Sequence, residues 1–291
     1  MSLLPAHGSH PRTFEKFRYV YPVLSRRSHG ISIGVNTNPN KACNFNCVYC
    51  QVDRTTSSEV MCFDLESAAE ELRELLDIVQ SGKLAKFAPF DTVPAELRRL
   101  NDIALSGDGE PTTLKNFSGV IEMVAGLKPR GVKLILITDA AGLDRIDVQR
   151  GLELMDANEG EIWAKLDAGT REHFKLINQT GIPFQRILRN LTTTAQRRPV
   201  VIQSLFLKIH GQRPSVEEIS AYCDRLTDII SAGGKIKQVQ INTLARRAMT
   251  VVAGRPAWQF VSPLTDAELD ALADIVRQRT GLPTESFYGQ T

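Results

Sequence analysis

A short β-branched run, a polar or glycine-rich turn and an amphipathic helix follow one another repeatedly along this chain of 291 residues. The candidate strands are residues 31–37, 102–106, 132–138, 161–167, 200–209 and 238–244. Apolar residues with helical periodicity predict helices at residues 65–79, 117–127, 148–155, 184–195, 216–230 and 267–277. Because strands alternate with helices, we expect a parallel sheet with right-handed crossovers. The expected fold class is α/β, with six strands curled into a partial (β/α)6 TIM-like barrel.

On the fourth and sixth candidate strands, polar side chains alternate with apolar ones. The apolar set is Ile162, Ala164, Leu166, Ala168, Val239 and Ile241, and the alternate set, polar apart from Trp163, is Trp163, Lys165, Asp167, Gln238, Gln240 and Asn242. Since helices cover the outer face of such a barrel, the polar set is expected to point inward. Filled barrels use branched apolar side chains there, so a polar interior predicts a wet cavity for a polar ligand. The alternative, an exposed edge strand, suits the sixth candidate strand better than the fourth.

The same pattern divides the chain into three parts. Residues 1–29 are expected to be an N-terminal extension, residues 30–250 the barrel, and residues 251–291 a C-terminal helix and tail that pack on the barrel. Residues 81–100, with Pro89 and Pro94, are predicted to form a surface excursion that could serve as a lid. The tail after Pro283 could fold back over the barrel or lie disordered.

Composition narrows the class of protein. Apolar residues make up 42% of the chain and charged residues 23%, which is typical of a globular protein with a large core. No apolar run approaches the roughly 20 residues that span a bilayer, and no secretory signal precedes the first strand. Three of the five cysteines lie in one loop, which suits a metal site in a reducing cytoplasm. The other two, Cys62 and Cys223, lie in separate elements and are predicted to be structural.

The charge pattern does not single out a partner. The net charge is +2, and the basic pairs are dispersed along the chain. Proteins dedicated to nucleic acids usually show one dense basic surface. A nucleic-acid partner is therefore possible but not favoured, and no membrane partner is expected.

The candidate chemistry centres on residues 43–50, CNFNCVYC. At this spacing the thiolates of Cys43, Cys47 and Cys50 can bind three irons of a [4Fe–4S] cluster and leave the fourth iron open to a small molecule. One alternative is a structural zinc site, for which His29 is the one loose candidate as a fourth ligand. The other is three unrelated buried cysteines.

The spacing, with Tyr49 directly before the last cysteine, resembles the cluster loop of the radical S-adenosylmethionine (SAM) superfamily. The resemblance implies a partial barrel of the radical SAM type, in which the open iron chelates the amino and carboxylate groups of SAM. It also implies that electron transfer to SAM yields a 5′-deoxyadenosyl radical, which abstracts hydrogen from a substrate. In that family an aromatic at the position of Tyr49 packs near the adenine. The alternative role for Tyr49 is packing in the core, and both roles can hold together.

A glycine-rich stretch follows the second candidate strand. It contains Gly107, Asp108, Gly109 and Glu110 and resembles the family's glycine-glycine-glutamate motif, whose glutamate binds the SAM amino group. Asp108 is an insertion relative to that motif, so the backbone groups that contact SAM stay open. Without the resemblance, the stretch would be an ordinary Gly-Asp-Gly turn.

The resemblance extends to the ends of the later strands. SAM contacts are expected from Lys165, Asp167, Gln203, Ser204, Asn242 and Arg246. Lys165 and Asp167 match polar groups that bind the SAM ribose and carboxylate, and the alternative for them is a buried ion pair. Arg246 and Arg247 are expected near the barrel mouth, where a cation would meet an anionic substrate or the carboxylate of SAM.

Substrate and reaction are left unassigned by these patterns, and no catalytic residue for the substrate is identified. The wording around Glu110 is closest to wyosine-type tRNA-guanine synthases, which carry a second cluster on cysteines upstream of the barrel. No cysteine precedes Cys43 here, so we do not expect the tricyclic wyosine base. A peptide or small metabolite is favoured, tRNA base modification is the alternative, and an iron–sulfur electron carrier or sensor is the rival class. A reductant protein such as flavodoxin or ferredoxin is expected as a partner.

Overall fold

The computed structural model describes residues 4–8 and 11–289. The helices are α1 (Pro5–Gly8), α2 (Leu65–Gln80), α3 (Phe117–Leu127), α4 (Ile146–Asp156), α5 (Arg171–Asn178), α6 (Phe184–Arg197), α7 (Val216–Ser231) and α8 (Asp266–Thr280). The strands are β1 (Val20–Ser25), β2 (Gly30–Val35), β3 (Leu100–Leu105), β4 (Lys133–Thr138), β5 (Gly160–Lys165), β6 (Val200–Leu205), β7 (Leu207–Ile209), β8 (Ile236–Asn242), β9 (Val251–Val252), β10 (Arg255–Pro256), β11 (Val261–Pro263) and β12 (Thr284–Phe287).

The predicted fold class, an α/β partial barrel, is confirmed. Within the described residues the main sheet has eight strands rather than six, because β1 and β12 join the six strands that the pattern predicts. Strands β9 with β10 and β7 with β11 form two separate antiparallel pairs. None of the described helices combines the length and the apolar character needed to cross a bilayer.

The first of two compact units comprises the described residues up to Cys43, Ser57–Ile137 and Arg145–Glu161. Its strands follow the order β1-β2-β3-β4, with β1 antiparallel to β2 and the others parallel. Helix α2 begins where the Asp64 side chain accepts a hydrogen bond from the backbone N–H of Ser67, which caps an otherwise unsatisfied donor. Its buried face is the apolar set Ala68, Ala69, Leu72, Leu75, Leu76 and Val79.

The excursion at residues 81–100 is packed into this first unit. It forms three short 3-10 turns, Lys83–Lys86, Phe90–Thr92 and Ala95–Leu97. Leu84 and Phe90 are buried. Because buried apolar side chains anchor a segment, these contacts argue against a freely opening lid.

The second unit comprises Asn44–Thr56, Thr138–Asp144 and the chain from Ile162 onward. Its parallel strands follow the order β5-β6-β8-β12. Strand β12 extends the sheet beside β8, so the tail after Pro283 folds back as an ordered strand as far as Phe287. Helix α8 starts with a capping box between Thr265 and Glu268, in which each side chain accepts a hydrogen bond from the other's backbone N–H.

Candidate functional site

The cysteine loop of residues 44–50 is fixed by backbone hydrogen bonds within the second unit. The N–H groups of Asn46 and Val48 donate to the carbonyls of Asn178 and Ile177, at 3.1 and 2.8 Å. These two carbonyls belong to the last turn of α5, whose terminal carbonyls have no partner within the helix. The loop thereby satisfies the end of a helix and gains a fixed path.

The segment after β8 holds the same loop from another direction. The Thr250 hydroxyl donates to the carbonyl of Cys47 at 2.9 Å. The N–H of Met249 donates to the carbonyl of Cys50 at 2.7 Å. The backbone at two of the three cysteines is therefore fixed by contacts distant in sequence.

Two cysteine sulfurs accept hydrogen bonds from polar side chains. Arg54 Nη1 lies 3.1 Å from Cys50 Sγ, and Asn178 Nδ2 lies 3.5 Å from Cys47 Sγ. Burial, and then the charge of Asp167, raises the pKa of the Cys47 thiol to about 12. A thiol with so high a pKa stays protonated at neutral pH and is a poor nucleophile unless a metal ion replaces the proton.

The donor chemistry at this loop fits an iron–sulfur cluster better than a free reactive cysteine. Thiolates are the usual ligands of such clusters, and hydrogen bonds to sulfur tune their potentials. Across residues 4–8 and 11–289, no three His, Cys, Asp or Glu side chains lie close enough together to hold a metal ion. Ligation by Cys43, Cys47 and Cys50 thus stays a prediction from their spacing.

Asp167 is the centre of a buried polar network behind the cysteine loop. Its carboxylate accepts hydrogen bonds from the Tyr49 hydroxyl, from Asn178 Nδ2 at 3.0 Å and from the N–H of Leu205 at 2.9 Å. Lys165 Nζ lies 3.5 Å from Asp167 Oδ1 and 4.9 Å from the centroid of the Tyr49 ring. Burial and the Asp167 charge raise the pKa of Tyr49 well above its usual value, so Tyr49 remains a neutral donor.

This network changes the role expected for Asp167. The ion pair with Lys165, considered as an alternative from the sequence, is present. Both carboxylate oxygens already have protein partners, so Asp167 positions Tyr49 and the last residue of β6, Leu205. Direct contact of Asp167 with SAM stays an untested expectation.

A row of polar side chains crosses the strands of the second unit on one face. Lys165 of β5 lies in register with Gln203 of β6. Gln240 of β8 lies in register with both Gln203 and Glu285 of β12. Gln203 Nε2 donates to Gln240 Oε1 at 3.1 Å, and Asn242 Nδ2 donates to the carbonyl of Gln240 at 3.0 Å. The polar face predicted from period-two alternation therefore exists, and its glutamines are buried and partly satisfy each other.

Ser204 does not belong to that face. Its hydroxyl lies 2.6 Å from the hydroxyl of Tyr222 in α7, on the helix-covered side of the sheet. Successive residues of a strand point to opposite faces, so Gln203 and Ser204 cannot line one pocket. The expectation that Ser204 completes a ribose pocket is wrong for this reason.

The glycine-rich turn of the first unit packs against the chain that leads into the cysteine loop. A methyl group on Gly109 would come within 1.9 Å of the carbonyl oxygen of Ala42. One on Gly107 would come within 2.2 Å of Asn36 Oδ1. A Cβ atom at Gly109 would collide with backbone, and one at Gly107 would collide with the side chain and Cα of Asn36, so both positions favour glycine.

Asp108 and Glu110 have different surroundings in this turn. Asp108 accepts a hydrogen bond from Asn36 Nδ2 at 2.8 Å and lies 3.4 Å from Arg12 Nη1. Glu110 is buried, and its Oε1 accepts hydrogen bonds from the N–H and hydroxyl of Thr112, at 3.1 and 2.6 Å. The inserted Asp108 therefore serves the turn itself, and Glu110 is a buried carboxylate that also caps the short 3-10 turn Pro111–Thr113.

Arg246 and Arg247, the two arginines after β8, contact different partners. Arg246 Nε donates to Gln51 Oε1 at 2.6 Å, next to Cys50 in sequence. The guanidinium carbon of Arg247 lies 3.8 Å from the centroid of the Trp258 ring, a cation–π contact. Arg246 thus contacts the residue that directly follows the cysteine loop, and its contact with SAM stays an untested expectation.

Sequence reasoning missed Asn178 and Arg54, which contact the cysteine sulfurs. Asn178 ends α5, an eight-residue helix that the pattern did not predict. Arg54 lies four residues beyond Cys50. A basic side chain so close to a cysteine motif is a signal that could have been used, but nothing local marks Asn178.

Comparison with known proteins gives modest sequence similarity. No protein-family model matches the chain. A UPF0026 protein of Synechocystis sp. is 32% identical over 184 residues, covering 62% of this chain and 60% of that protein. The GTPase Obg of Brachyspira hyodysenteriae is 26% identical over 230 residues, covering 78% of this chain and 30% of that protein. The chain thus spans less than two thirds of either relative.

The GTPase name does not transfer to this chain. Nucleotide-binding GTPases hold phosphates with a G-x-x-x-x-G-K-[ST] loop. Lysine follows glycine at Gly82-Lys83 and Gly234-Lys235, and neither pair is followed by Ser or Thr.

Structural comparison supports the fold. A solved structure of TYW1 with a lysine–pyruvate adduct bound superimposes with a TM-score of 0.52 at 14% identity, covering 86% of this chain and 74% of that chain. At such low identity the likeness establishes the fold alone. The comparison therefore supports the α/β partial-barrel fold expected from the sequence.

Proposed function

We propose that this chain is a radical SAM enzyme in which Cys43, Cys47 and Cys50 hold one [4Fe–4S] cluster. The observation that most supports this is the cysteine loop, whose backbone is fixed from two directions and whose sulfurs accept hydrogen bonds from Asn178 and Arg54. When bound, such a cluster supplies the electron that cleaves SAM into methionine and a 5′-deoxyadenosyl radical. The substrate we favour is a peptide or a small metabolite.

The protein's own residues bind and orient SAM in this proposal, and they exclude water from the site. Val48 and Tyr49 pack in an apolar cluster with Leu207, Leu244 and Val261, which keeps water from the back of the loop. The Asp167 carboxylate holds the Tyr49 hydroxyl, so the ring keeps one orientation. In our proposal that ring lies near the adenine of SAM.

Glu110 is proposed to bind the ammonium group of SAM. A buried carboxylate forms a strong charge-assisted hydrogen bond with an ammonium ion. Lys165, Gln203 and Asn242 are proposed to supply polar contacts to the ribose and carboxylate of SAM, since they share the polar face of the second unit.

The test is anaerobic reconstitution with iron and sulfide, followed by SAM and dithionite, with 5′-deoxyadenosine measured over time. We expect 5′-deoxyadenosine only in the presence of both cluster and SAM. The rival class, an electron carrier or sensor, has no use for the buried Glu110 or the glycine-rich turn. A normal cluster that neither binds nor cleaves SAM would favour that class.

Glu110→Gln is expected to weaken SAM binding about tenfold to hundredfold, which corresponds to losing one hydrogen bond between charged groups. Glutamine keeps an acceptor oxygen for Thr112, so the turn should persist and the iron content should be unchanged. SAM affinity is measured by calorimetry on the reconstituted protein. Glu122→Gln, at an exposed position of α3, is the matched control and should bind SAM normally. Equal affinities for both variants would remove Glu110 from the SAM site.

The fold of TYW1 favours one second candidate, the wyosine-type modification of tRNA. We expect that this chain does not carry it out, because its basic residues are dispersed, whereas a folded tRNA calls for an extended basic surface. Reconstituted protein is incubated with tRNA containing N1-methylguanosine, pyruvate and SAM. Appearance of the fluorescent tricyclic base would establish the second candidate in place of the first.

A further inference from the structure

An open cleft of about 330 Å³ lies on the segment that follows β8. Its lining includes Leu244, Arg246, Arg247, Trp258, Val261 and Pro263. Two of the lining residues are cations, none is a carboxylate, and most of the others are apolar. A cleft with this lining favours a ligand that carries negative charge on an apolar or flat body.

Arg247 is suited to bind an oxyanion. Its guanidinium stacks on Trp258, whose side chain is 42% exposed, and among the described residues Arg247 forms no ion pair with a carboxylate. Stacking uses the face of the guanidinium, so the N–H donors in its plane stay directed away from the ring. Such a pre-oriented fork matches the geometry of a carboxylate or a phosphate.

The cleft is connected to the cysteine loop through three contacts. Arg246 donates to Gln51, Met249 donates to the carbonyl of Cys50, and Thr250 donates to the carbonyl of Cys47. This segment therefore lines the cleft at Arg246, Arg247 and Ala248 and holds the loop through the two residues that follow, Met249 and Thr250. A ligand in the cleft would lie beside the loop that we propose to carry the cluster.

We propose that this cleft binds the anionic group of the enzyme's substrate, a small molecule in which a carboxylate or phosphate adjoins a flat or apolar body. That the ligand is a substrate rests on the function proposed above. That the cleft binds an oxyanion does not. The cleft volume falls in the roughly 300–1,000 Å³ range of small-molecule sites. A folded RNA would instead need an extended basic surface.

Calorimetry on the full-length, anaerobically reconstituted chain tests the proposal, with inorganic phosphate and benzoate as separate probes. We expect the wild-type protein to bind at least one probe, and the stronger of the two identifies the anion. Arg247→Met should weaken that binding about tenfold to hundredfold, as expected for loss of a hydrogen bond to a charged group. Arg255→Met is the matched control, because it removes the same charge from an exposed residue outside the cleft lining. It should bind the probe as the wild type does.

Three outcomes would overturn the proposal. The first is that neither probe binds the wild-type protein. The second is that Arg247→Met and Arg255→Met weaken binding equally, which would show a general charge effect. Binding of tRNA that Arg247→Met removes, with neither small probe bound, would identify an RNA surface instead. Arg247→Lys guards against misfolding, since it keeps the charge and should restore part of the binding.

The failure of this proposal is separable from the failure of the proposed function. SAM cleavage is measured on the same wild-type samples. Protein that forms 5′-deoxyadenosine but binds no anion would refute the cleft alone. Protein that binds the anion but does not cleave SAM would refute the radical chemistry and leave the oxyanion site intact.

Discussion

Serine in place of Cys43, Cys47 or Cys50 is expected to give a protein that retains almost no iron after reconstitution and forms no detectable 5′-deoxyadenosine. The proposed cluster has three protein ligands, so the loss of one leaves it with two. A serine hydroxyl is a harder and weaker ligand for iron than a thiolate, so it cannot replace the missing sulfur. Iron and sulfide per chain and the visible absorbance of the cluster are the measurements.

The other two cysteines supply the controls. Cys62 is exposed, and Cys223 is buried within α7. Cys62→Ser and Cys223→Ala should therefore bind iron and cleave SAM as the wild type does, with a modest loss of stability in the second. Loss of the cluster in either control, at the level seen for Cys47→Ser, would contradict the assigned ligand set.

Asp167→Ala is expected to lower the free energy of unfolding by about 3 kcal/mol, the lower end of the range for removing one partner of a buried ion pair. The lower end applies because the Lys165 side chain is still 20% exposed and can gain some hydration. The variant also leaves the buried Tyr49 hydroxyl without its acceptor. Because Tyr49 directly precedes Cys50, we expect a lower iron content after reconstitution as well. Urea denaturation followed by circular dichroism measures the first effect.

Asp144→Ala provides a matched comparison within the same unit. Asp144 lies 3.0 Å from Arg186, and both side chains are 41% exposed. Exposed pairs of this kind contribute about 0–1 kcal/mol, so its loss should change stability little. If both aspartate variants lose the same stability, the buried network behind the cysteine loop has no special role.

Hydrophobic periodicity predicted six of the eight described helices and the central strands because those elements bury one continuous face. It missed β1 and β12 for local reasons. Strand β1 contains Pro22, which is tolerated at the edge of a sheet but argues against a strand when only the sequence is read. Strand β12 has four residues, Thr284–Phe287, too few for a clear alternation.

The residues of the candidate site also differ in whether the sequence alone could reveal them. The cysteine loop and the glycine-rich stretch with Glu110 were found because each is a motif of consecutive residues. Asn178 and Thr250 reach the loop from elements far along the chain, and only the folded backbone brings them there. The error at Ser204 had a different origin, since two adjacent residues of one strand were assigned to the same side of the sheet.

Because Gly109 lies against the Ala42 carbonyl, residues 38–42 act as a spacer of set length. Asn38 also donates from Nδ2 to the Thr113 hydroxyl at 3.0 Å, so one end of the spacer contacts the glycine-rich turn and the other contacts the short 3-10 turn that follows it. Most surface loops absorb insertions and deletions readily. One residue more or fewer here would shift Cys43 along the chain relative to the turn that carries Glu110. This short connector should therefore tolerate changes of side chain far better than changes of length.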